Sequence, residues 1–244
     1  MSLMDLLYPR RCHGCHGSVE SESLYFCWDC LSEITCVEPP FCSICGDPVP
    51  GRIDHEYVCY HCSRKPPHFD RARSAGRYEG LLGDALRDLK YNGAVWLVPD
   101  LARILHACVQ THYALLEIDV LCYVPMYSTH QREREYNQAQ LLAVALGRLM
   151  GKPVRRRGFR RLFMAGSQTG LTASERAANV KNAFACGRGG FNPFFREGRR
   201  SAWAGLSCLL IDDVMTTGAT VSECARALKA DGVRHVYVVT AARG

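Results

Sequence analysis

The chain has 244 residues, 48% of them apolar, and a formal net charge of +6. This length and apolar content exclude an intrinsically disordered protein and suit one large domain with a small module. The apolar runs fall short of the roughly 18 residues that span a bilayer, and the N-terminal apolar stretch is too short for a secretory signal. We therefore expect a cytoplasmic protein without membrane insertion, whose mild basicity is compatible with a polyanionic partner.

Eight of the 14 cysteines form four Cys-x-x-Cys pairs near the N-terminus. In a reducing compartment such pairs indicate metal binding, because two turns with two thiolates each complete a tetrahedral shell. Zn²⁺ suits four soft thiolates, and a closed shell is structural. The pattern predicts a double zinc ribbon over residues 1–65 with one or two zinc ions, and sequential and crossed pairing both stay open. The candidate ligands are Cys12, Cys15, Cys27, Cys30, Cys42, Cys45, Cys59 and Cys62.

Thioredoxin-like redox motifs and an iron–sulfur cluster are alternatives for these cysteines. Four copies of a dithiol motif within 51 residues are hard to explain as redox switches. The other cysteines are expected to be apolar filler or core residues, and four nearby histidines to be solvated. These residues are Cys36, Cys108, Cys122, Cys186, Cys208 and Cys224, with His13, His16, His55 and His61.

Residues 63–74 are predicted to be a linker, because Pro66 and Pro67 break regular structure and the surrounding charges keep the segment exposed. The larger domain is expected over residues 75–244. Its apolar spacing predicts helices at 79–91, 98–113, 137–150, 172–184 and 219–232. Apolar runs predict buried strands at 119–126, 206–214 and 234–242. This alternation indicates an α/β fold with a parallel sheet flanked by helices on both faces.

Two arginine-rich segments have no single interpretation. Residues 155–161 hold five arginines, which fit either a strand edge or solvated loop, or a contact with a pyrophosphate or a nucleic-acid backbone. Residues 187–203 are expected to be a surface loop with exposed aromatic side chains, without an assigned role.

The most informative segment is residues 208–220, with the sequence CLLIDDVMTTGAT. Ligands of open α/β sheets bind beyond the carboxyl ends of the strands, where Asp212 and Asp213 lie. The following helix N-terminus attracts a phosphate, Gly218 lets the backbone approach it, and Thr216, Thr217 and Thr220 add hydroxyl donors. Carboxylates repel phosphate but accept hydrogen bonds from ribose hydroxyls, so the segment predicts a sugar-phosphate site. A plain strand-to-helix turn, with acids that cap the helix, is the alternative.

This segment resembles the phosphoribosyl pyrophosphate (PRPP) motif of the type I phosphoribosyltransferases. The resemblance implies a five-stranded parallel sheet with a hood, PRPP bound with Mg²⁺, and displacement of pyrophosphate at ribose C1 by a nitrogen nucleophile. It also implies that Asp213 lies nearest the reacting side of the ribose.

The cysteine pairs, DLKYNG, VPM, REYNQAQLLA and SQTGLTASERAANVKNAF occur in the order seen in the ComF/GntX family. The chain therefore resembles competence-associated or DNA-utilisation proteins along nearly its whole length. At matching positions the resemblance implies catalytic roles for Asp212, Asp213 and Arg134, a pyrophosphate-facing turn at 124–126, and Lys90 as a second cation. The implied PRPP-binding residues are Val124, Pro125, Asp212, Asp213, Thr216, Thr217, Gly218, Ala219 and Thr220. Asn137, Gln138, Gln168, Leu171, Arg176 and Asn179 match two further family elements.

Some positions depart from the family pattern. Glu135 and Tyr136 replace a usual Gly-Phe, and Phe163 and Ala165 stand where a basic residue and a threonine are frequent. These losses bear on turnover more than on PRPP binding.

Two functions follow from the resemblance. One is a PRPP-binding protein of DNA uptake or utilisation, with single-stranded DNA and DNA-uptake proteins such as a helicase as expected partners. The other is an active phosphoribosyltransferase that transfers phosphoribose from PRPP to an amine or nucleobase.

Overall fold

The computed structural model of the chain describes residues 10–19, 25–126, 136–155, 158–162, 182–186 and 201–244. Several predicted features lie outside these residues. They are Arg134, Glu135, Phe163, Ala165, Gln168, Leu171, Arg176 and Asn179, with most of the predicted helix 172–184 and of the predicted loop 187–203.

The described residues contain helices at the predicted positions 79–91, 98–113, 137–150 and 219–232 and strands at the predicted positions 119–126, 206–214 and 234–242, together with further elements that were not predicted. The helices are α1 Trp28–Ser32, α2 Tyr60–Arg64, α3 Gly80–Tyr91, α4 Val98–Tyr113, α5 Gln138–Met150 and α6 Ala219–Ala230. The strands are β1 Arg71–Arg77, β2 Val120–Tyr123, β3 Phe159–Arg161, β4 Phe184–Cys186, β5 Ser207–Met215 and β6 His235–Arg243. Helix α5 ends at Gly151, which adopts φ 62°, a left-handed conformation that glycine reaches without steric cost.

The main sheet is parallel throughout the described residues, with strand order β1-β6-β5-β2. Beyond β2, residues 153–155 run parallel to it, and Leu121 exchanges backbone hydrogen bonds with Pro153 and Arg155 at 2.9 and 2.8 Å. The described sheet thus has four strands plus this short bridge at the fifth position. Strands β3 and β4 pair separately as a small antiparallel ribbon.

Two buried clusters cover the two faces of the sheet. Leu121, Leu209 and Ile211 pack on one face with α3, α4 and α5. Cys122, Cys208 and Leu210 pack on the other face with α6, Trp203 and the β3–β4 ribbon. The predicted α/β fold with helices on both faces is therefore confirmed, as are the core positions of Cys108, Cys122, Cys208 and Cys224.

The prediction of an exposed linker at 63–74 is wrong for its second half. Phe69 is buried, and strand β1 begins at Arg71 with Ala72, Arg73 and Ser74 buried. The zinc-ribbon segments cover this edge of the sheet: Ala72 N–H donates to Ile44 at 2.7 Å, and Arg77 N–H donates to Thr35 at 2.8 Å. Charged residues here are shielded by chain that is distant in sequence, which local charge cannot reveal.

Four smaller expectations also need correction. Cys36 is exposed rather than an apolar filler, because it lies on the outer segment that bridges to Gly76. Trp203 is fully buried under α6, and Phe184 begins a strand rather than ending a helix. His13 is shielded and lies 3.4 Å from Asp88, whereas the other three histidines near the cysteines are exposed. None of the described helices combines the length and apolar character that crossing a membrane requires.

Candidate functional site

The eight ribbon cysteines gather into two separate groups of four. The pairing is sequential: Cys12, Cys15, Cys27 and Cys30 form one group, and Cys42, Cys45, Cys59 and Cys62 form the other. Within each group all four Sγ atoms lie within 4.8 Å of one another. We call these the first and second zinc sites.

The sulfur geometry of both groups fits tetrahedral zinc. The Sγ atoms of Cys15 and Cys27 are 3.7 Å apart, and those of Cys45 and Cys59 are 3.8 Å apart. Four sulfurs at about 2.3 Å from one ion stand about 3.8 Å from each other. The crossed pairing is thereby excluded, and each group can hold one structural zinc ion.

Backbone N–H groups support the thiolate form in both sites. Cys27 N–H donates to the Cys12 sulfur at 3.3 Å, and Cys59 N–H donates to the Cys42 sulfur at 3.4 Å. Burial opposes ionisation, but these and other N–H donors still lower the pKa of Cys12 to about 6 and that of Cys42 to about 7. A thiol with a lowered pKa is a readier metal ligand, because the metal binds the thiolate.

At the carboxyl edge of the sheet, separate segments are hydrogen-bonded around Asp212. Val124 N–H donates to the carbonyl of Ile211 at 3.0 Å, which places the turn 124–126 beside the acids. Asn137 donates from Nδ2 to the Val124 carbonyl at 3.0 Å and caps α5 by accepting from Gln140 N–H at 3.2 Å. Asn137 is therefore a support for this turn.

The end of α3 is held against the same edge. Gln138 donates from Nε2 to the Lys90 carbonyl at 3.5 Å, and Tyr136 donates from its hydroxyl to the Leu89 carbonyl at 2.5 Å. The departure from phenylalanine at position 136 thus adds a hydrogen bond that fixes α3. The Lys90 charge is close enough to Asp212 to favour its carboxylate form.

The loop after β5 leads into α6 with open backbone donors. Gly218 adopts φ 75° at the N-cap, where L side chains are strained, and as a glycine it offers no side-chain acceptor to the first turn. Thr217 Oγ1 accepts a long 3.4 Å hydrogen bond from Ala219 N–H. Thr216 is exposed, and residues 217–220 are half-buried, so the first turn of α6 can receive an anion.

Asp212 and Asp213 are adjacent carboxylates at the end of this sheet. Burial, and then the charge of Asp213, raise the pKa of Asp212 well above its ordinary value. Such a group gains from a cation or from hydroxyl donors that stabilise its charged form. The edge therefore combines a carboxylate pair, a cationic lysine and a helix N-terminus with glycine at its N-cap.

Arg161 adds a guanidinium near Asp212 that the sequence did not single out. Its side chain lies 5.5 Å over the Phe184 ring, and its Nε is buried without a hydrogen-bond partner. Burial lowers the pKa of Arg161, while the charges of Cys224 and Asp212 oppose that shift. The arginine density of 155–161 was the available signal, but it did not distinguish this residue from its neighbours.

The small β3–β4 ribbon is tied to α6 through Glu223. Its carboxylate accepts from Asn182 N–H at 2.6 Å and from Arg226 at 2.7 Å. No sequence signal marked this helical Glu–Arg pair as a link between the two segments. The structure thus assembles the predicted residues at 90, 124–125, 137–138, 212–213 and 216–220, whereas Arg134 lies outside the described residues.

Comparison with known proteins shows the family. A double zinc ribbon domain matches residues 3–63. Competence protein F of Haemophilus influenzae is 31% identical over 239 residues, which cover 96% of this chain and 96% of the relative. The chain belongs to the competence protein F (ComF) family.

Two more distant relatives are similar over most of their length. The DNA utilization protein YhgH of Escherichia coli is 27% identical over 239 residues, or 96% of each chain. Competence protein ComFC of Bacillus subtilis is 25% identical over 212 residues, covering 84% of this chain and 78% of the relative.

Solved structures match the chain in part. The glutamine PRPP amidotransferase of B. subtilis, complexed with ADP and GMP, aligns over 59% of this chain with a TM-score of 0.35 and 17% identity. The Leishmania donovani UMP synthase aligns over 63% with a TM-score of 0.32 and 20% identity. The chain spans about a quarter of each of these proteins, 25% and 23%.

Proposed function

We propose that this ComF-family protein binds PRPP together with Mg²⁺ and acts in DNA uptake or DNA utilisation. The observation that carries the proposal is the continuous path from the Asp212–Asp213 pair through Thr216 and Thr217 into the first turn of α6, whose N-cap Gly218 has no side chain to occupy the N–H donors. The named roles of the relatives in competence and DNA utilisation support the cellular context.

Each part of the site has a chemical role toward this ligand. The carboxylates of Asp212 and Asp213 accept hydrogen bonds from the ribose 2- and 3-hydroxyls. The N–H groups of the first turn of α6 and the threonine hydroxyls bind the 5-phosphate. Lys90 and the turn at 124–126 face the pyrophosphate, whose charge Mg²⁺ neutralises. Hard carboxylate oxygens are suitable neighbours for a hydrated Mg²⁺ ion.

Calorimetric titration with PRPP and MgCl₂ tests the site. Asp213→Asn and Thr217→Ala should each weaken binding by at least tenfold, since each removes a group that contacts the ligand. Asp84→Asn is the matched control, because Asp84 is an exposed residue on α3. Unchanged PRPP affinity in both site variants would refute the assignment.

The raised pKa of Asp212 gives the binding a defined pH dependence. Ribose hydroxyls are bound by the carboxylate, so PRPP affinity should fall as pH drops through the raised pKa of Asp212, earlier than for an ordinary aspartate. Asp212→Asn should abolish the binding and, with it, this pH dependence.

Asp212→Asn should also raise the melting temperature, because it removes a charge that opposes folding. The increase should grow as pH rises above 3.8, where the carboxyl ionises in the unfolded chain.

The proximity of Lys90 to Asp212 favours a second function, phosphoribosyl transfer to an amine or nucleobase. A lysine beside the acids can stabilise the departing pyrophosphate in the transition state. Pyrophosphate release from PRPP across a panel of bases and amines tests this function. Activity that is lost in Lys90→Met but retained in Arg87→Met would support turnover, and no release with any acceptor would argue for binding alone.

The zinc ribbons offer aromatic side chains to a single-stranded DNA partner. Trp28 and Tyr60 directly follow the third cysteine of their ribbons and are 66% and 76% exposed. Arg64 lies 5.8 Å over the Tyr60 ring, so a base-stacking surface and a phosphate contact are adjacent.

The binding of single-stranded DNA should weaken steeply with salt. It should also weaken in Trp28→Ala and Tyr60→Ala but not in Trp96→Ala, an exposed aromatic outside the ribbons. Equal affinity in all variants would remove the ribbons from DNA binding.

A further inference from the structure

The second zinc site belongs to the same buried cluster as the residues that flank the candidate PRPP loop. Cys42, Cys45 and Cys62 share this cluster with Met215 and Val221. Phe69 belongs to the same cluster, and its ring is 3.7 Å from the position that a Cβ on Gly218 would occupy. In the first ribbon, by contrast, Phe26 packs with Leu82 on the opposite face of the sheet.

Arg243 joins the second ribbon directly to the start of the loop. Its guanidinium donates to the Cys45 carbonyl at 3.2 Å and to Asp47 Oδ1 at 2.7 Å. Its backbone is paired with Met215 in the sheet, and the next residue, Gly244, donates its N–H to the Met215 carbonyl at 3.1 Å. One residue therefore holds both the metal-binding turn and the residue before Thr216.

Arg73 grips the same metal-binding turn from strand β1. It is 7% exposed, donates to the Ser43 carbonyl at 3.1 Å and lies 4.5 Å over the Phe41 ring. Burial lowers the pKa of Arg73, and among the described residues no carboxylate forms an ion pair with it. Four thiolates with one Zn²⁺ carry a net charge of about −2. Because Ser43 directly follows Cys42, the hydrogen bond to Ser43 places this buried guanidinium near the negative charge of a loaded site.

We propose that the second zinc site positions the PRPP loop: the metal-loaded turn, held by Arg73 and Arg243, fixes Met215 and the residues up to Gly218. The ligand in this statement rests on the proposed function. Loss of the metal removes the four ligand bonds that fix the shape of the turn, so the hydrogen bonds that Ser43 and Cys45 accept from Arg73 and Arg243 are weakened. The first zinc site, on the other face, has no such connection within the described residues. Ligand binding must in turn strengthen zinc retention at the second site by the same factor.

Cys59→Ser and Cys27→Ser make a matched pair for the test. Both cysteines are half-buried, both cap a five-residue helix, and both accept an N–H hydrogen bond at 3.5 Å from the fourth cysteine of their site. Each variant should retain the other zinc ion. In Cys59→Ser, hydrogen exchange at residues 214–222 should rise about tenfold and PRPP affinity should fall about tenfold, within the usual range of coupling between sites. In Cys27→Ser both should change less than twofold.

Arg243→Lys separates positioning from general unfolding. A lysine cannot donate to the Cys45 carbonyl and Asp47 in the geometry of a guanidinium, so this variant should keep both zinc ions but lose the coupling. Cys27→Ser keeps only the zinc ion of the second site. PRPP should slow the loss of this ion to a chelator, and it should have no such effect in the double variant Cys27→Ser with Arg243→Lys. Arg77→Lys, an exposed arginine on β1, is the control.

The outcomes separate this inference from the proposed function. If the wild-type protein with two zinc ions does not bind PRPP, the proposed function fails, and the exchange comparison at 214–222 still decides whether the second site positions the loop. Equal exchange and equal PRPP affinity in Cys59→Ser and Cys27→Ser would overturn the inference. In a protein that does bind PRPP, zinc retention at the second site that PRPP does not alter would overturn it as well.

Discussion

The two zinc ribbons share a cysteine arrangement but are attached to the sheet differently. The first ribbon docks on helices: a Cβ on Gly14 would lie 2.8 Å from Leu81 on α3, and Tyr25 N–H donates to Asp100 on α4 at 2.8 Å. The second docks on strands β1 and β6, where Ala72 N–H donates to Ile44 and the guanidinium groups of Arg73 and Arg243 donate to carbonyls of the metal-binding turn. Identical metal chemistry can therefore serve mainly stability in one copy and the placement of a ligand loop in the other.

The largest expected effect concerns the arginine that holds the second ribbon. Arg73→Ala removes a buried guanidinium and leaves the Ser43 carbonyl and the Phe41 ring without it. We expect the free energy of unfolding to fall by about 3 kcal/mol. Arg77→Ala, at the exposed end of the same strand, should change it by less than about 0.5 kcal/mol. Chemical denaturation of both variants measures the difference, and similar values would contradict a special role for Arg73.

A glycine beside each metal-binding turn compares the two docking modes. A Cβ on Gly46 would lie 2.7 Å from the Ala72 carbonyl oxygen, at φ 69°, where neither backbone can yield. A Cβ on Gly14 would lie 2.8 Å from the end of the flexible Leu81 side chain and 3.0 Å from the Cys30 sulfur, with φ outside the left-handed region. Gly46→Ala should cost about 2 kcal/mol and Gly14→Ala about 1 kcal/mol or less. Thermal melting checks the order, and the reverse order would show that the first ribbon is held more rigidly.

Metal release should follow the exposure of the ligands. Cys15 in the first site is exposed, whereas the four cysteines of the second site are buried or half-buried. Zinc should therefore leave the first site severalfold faster in excess chelator. Cys59→Ser retains the first site and Cys27→Ser the second, so a zinc-sensitive dye gives both rates separately. Equal rates would mean that docking on β1 does not protect the second site.

The smallest expected effects concern the carboxylates that accompany each ribbon. Asp47→Asn weakens the half-exposed ion pair with Arg243 and should cost about 0.5–1 kcal/mol. Asp100→Asn keeps an oxygen for Tyr25 N–H and should stay within about 0.5 kcal/mol. Burial raises the pKa of Asp100 above its ordinary value of 3.8, so the folded protein favours the protonated carboxyl. The free energy of unfolding should therefore fall as pH rises from 3.8 through the raised pKa. Unfolding measured in steps of pH from 3.8 upward checks this, because the asparagine variant should lack the dependence.

Local patterns in the sequence were sufficient for most of the fold. Apolar spacing placed α4 at the bounds the structure has, and the Cys-x-x-Cys spacing identified both zinc sites. The pairing of the cysteines was not predictable, because both arrangements satisfy the same spacing. The linker prediction failed at Arg71 and Arg73, since their charges indicated solvent while their hydrogen-bond partners lie about 30 to 40 residues away in sequence.

The candidate site was predictable to a lesser extent. The acids, threonines and Gly218 were found because they are contiguous in sequence. Three other residues contact the site or its supporting segments through the tertiary fold: Arg161, Glu223 and Arg243. Such contacts leave no pattern in the sequence. Arg134 stays a prediction. The structural role of Asn137 emerged from two hydrogen bonds that its sequence match could not distinguish from ligand contact.

The most direct test of the account is calorimetric titration of the zinc-loaded protein with PRPP and Mg²⁺, beside Asp213→Asn. The account predicts one PRPP bound per chain, with binding lost in the variant while both zinc ions and the melting transition are kept. Absence of binding to the zinc-loaded wild-type protein, or equal affinity in Asp213→Asn, would contradict it.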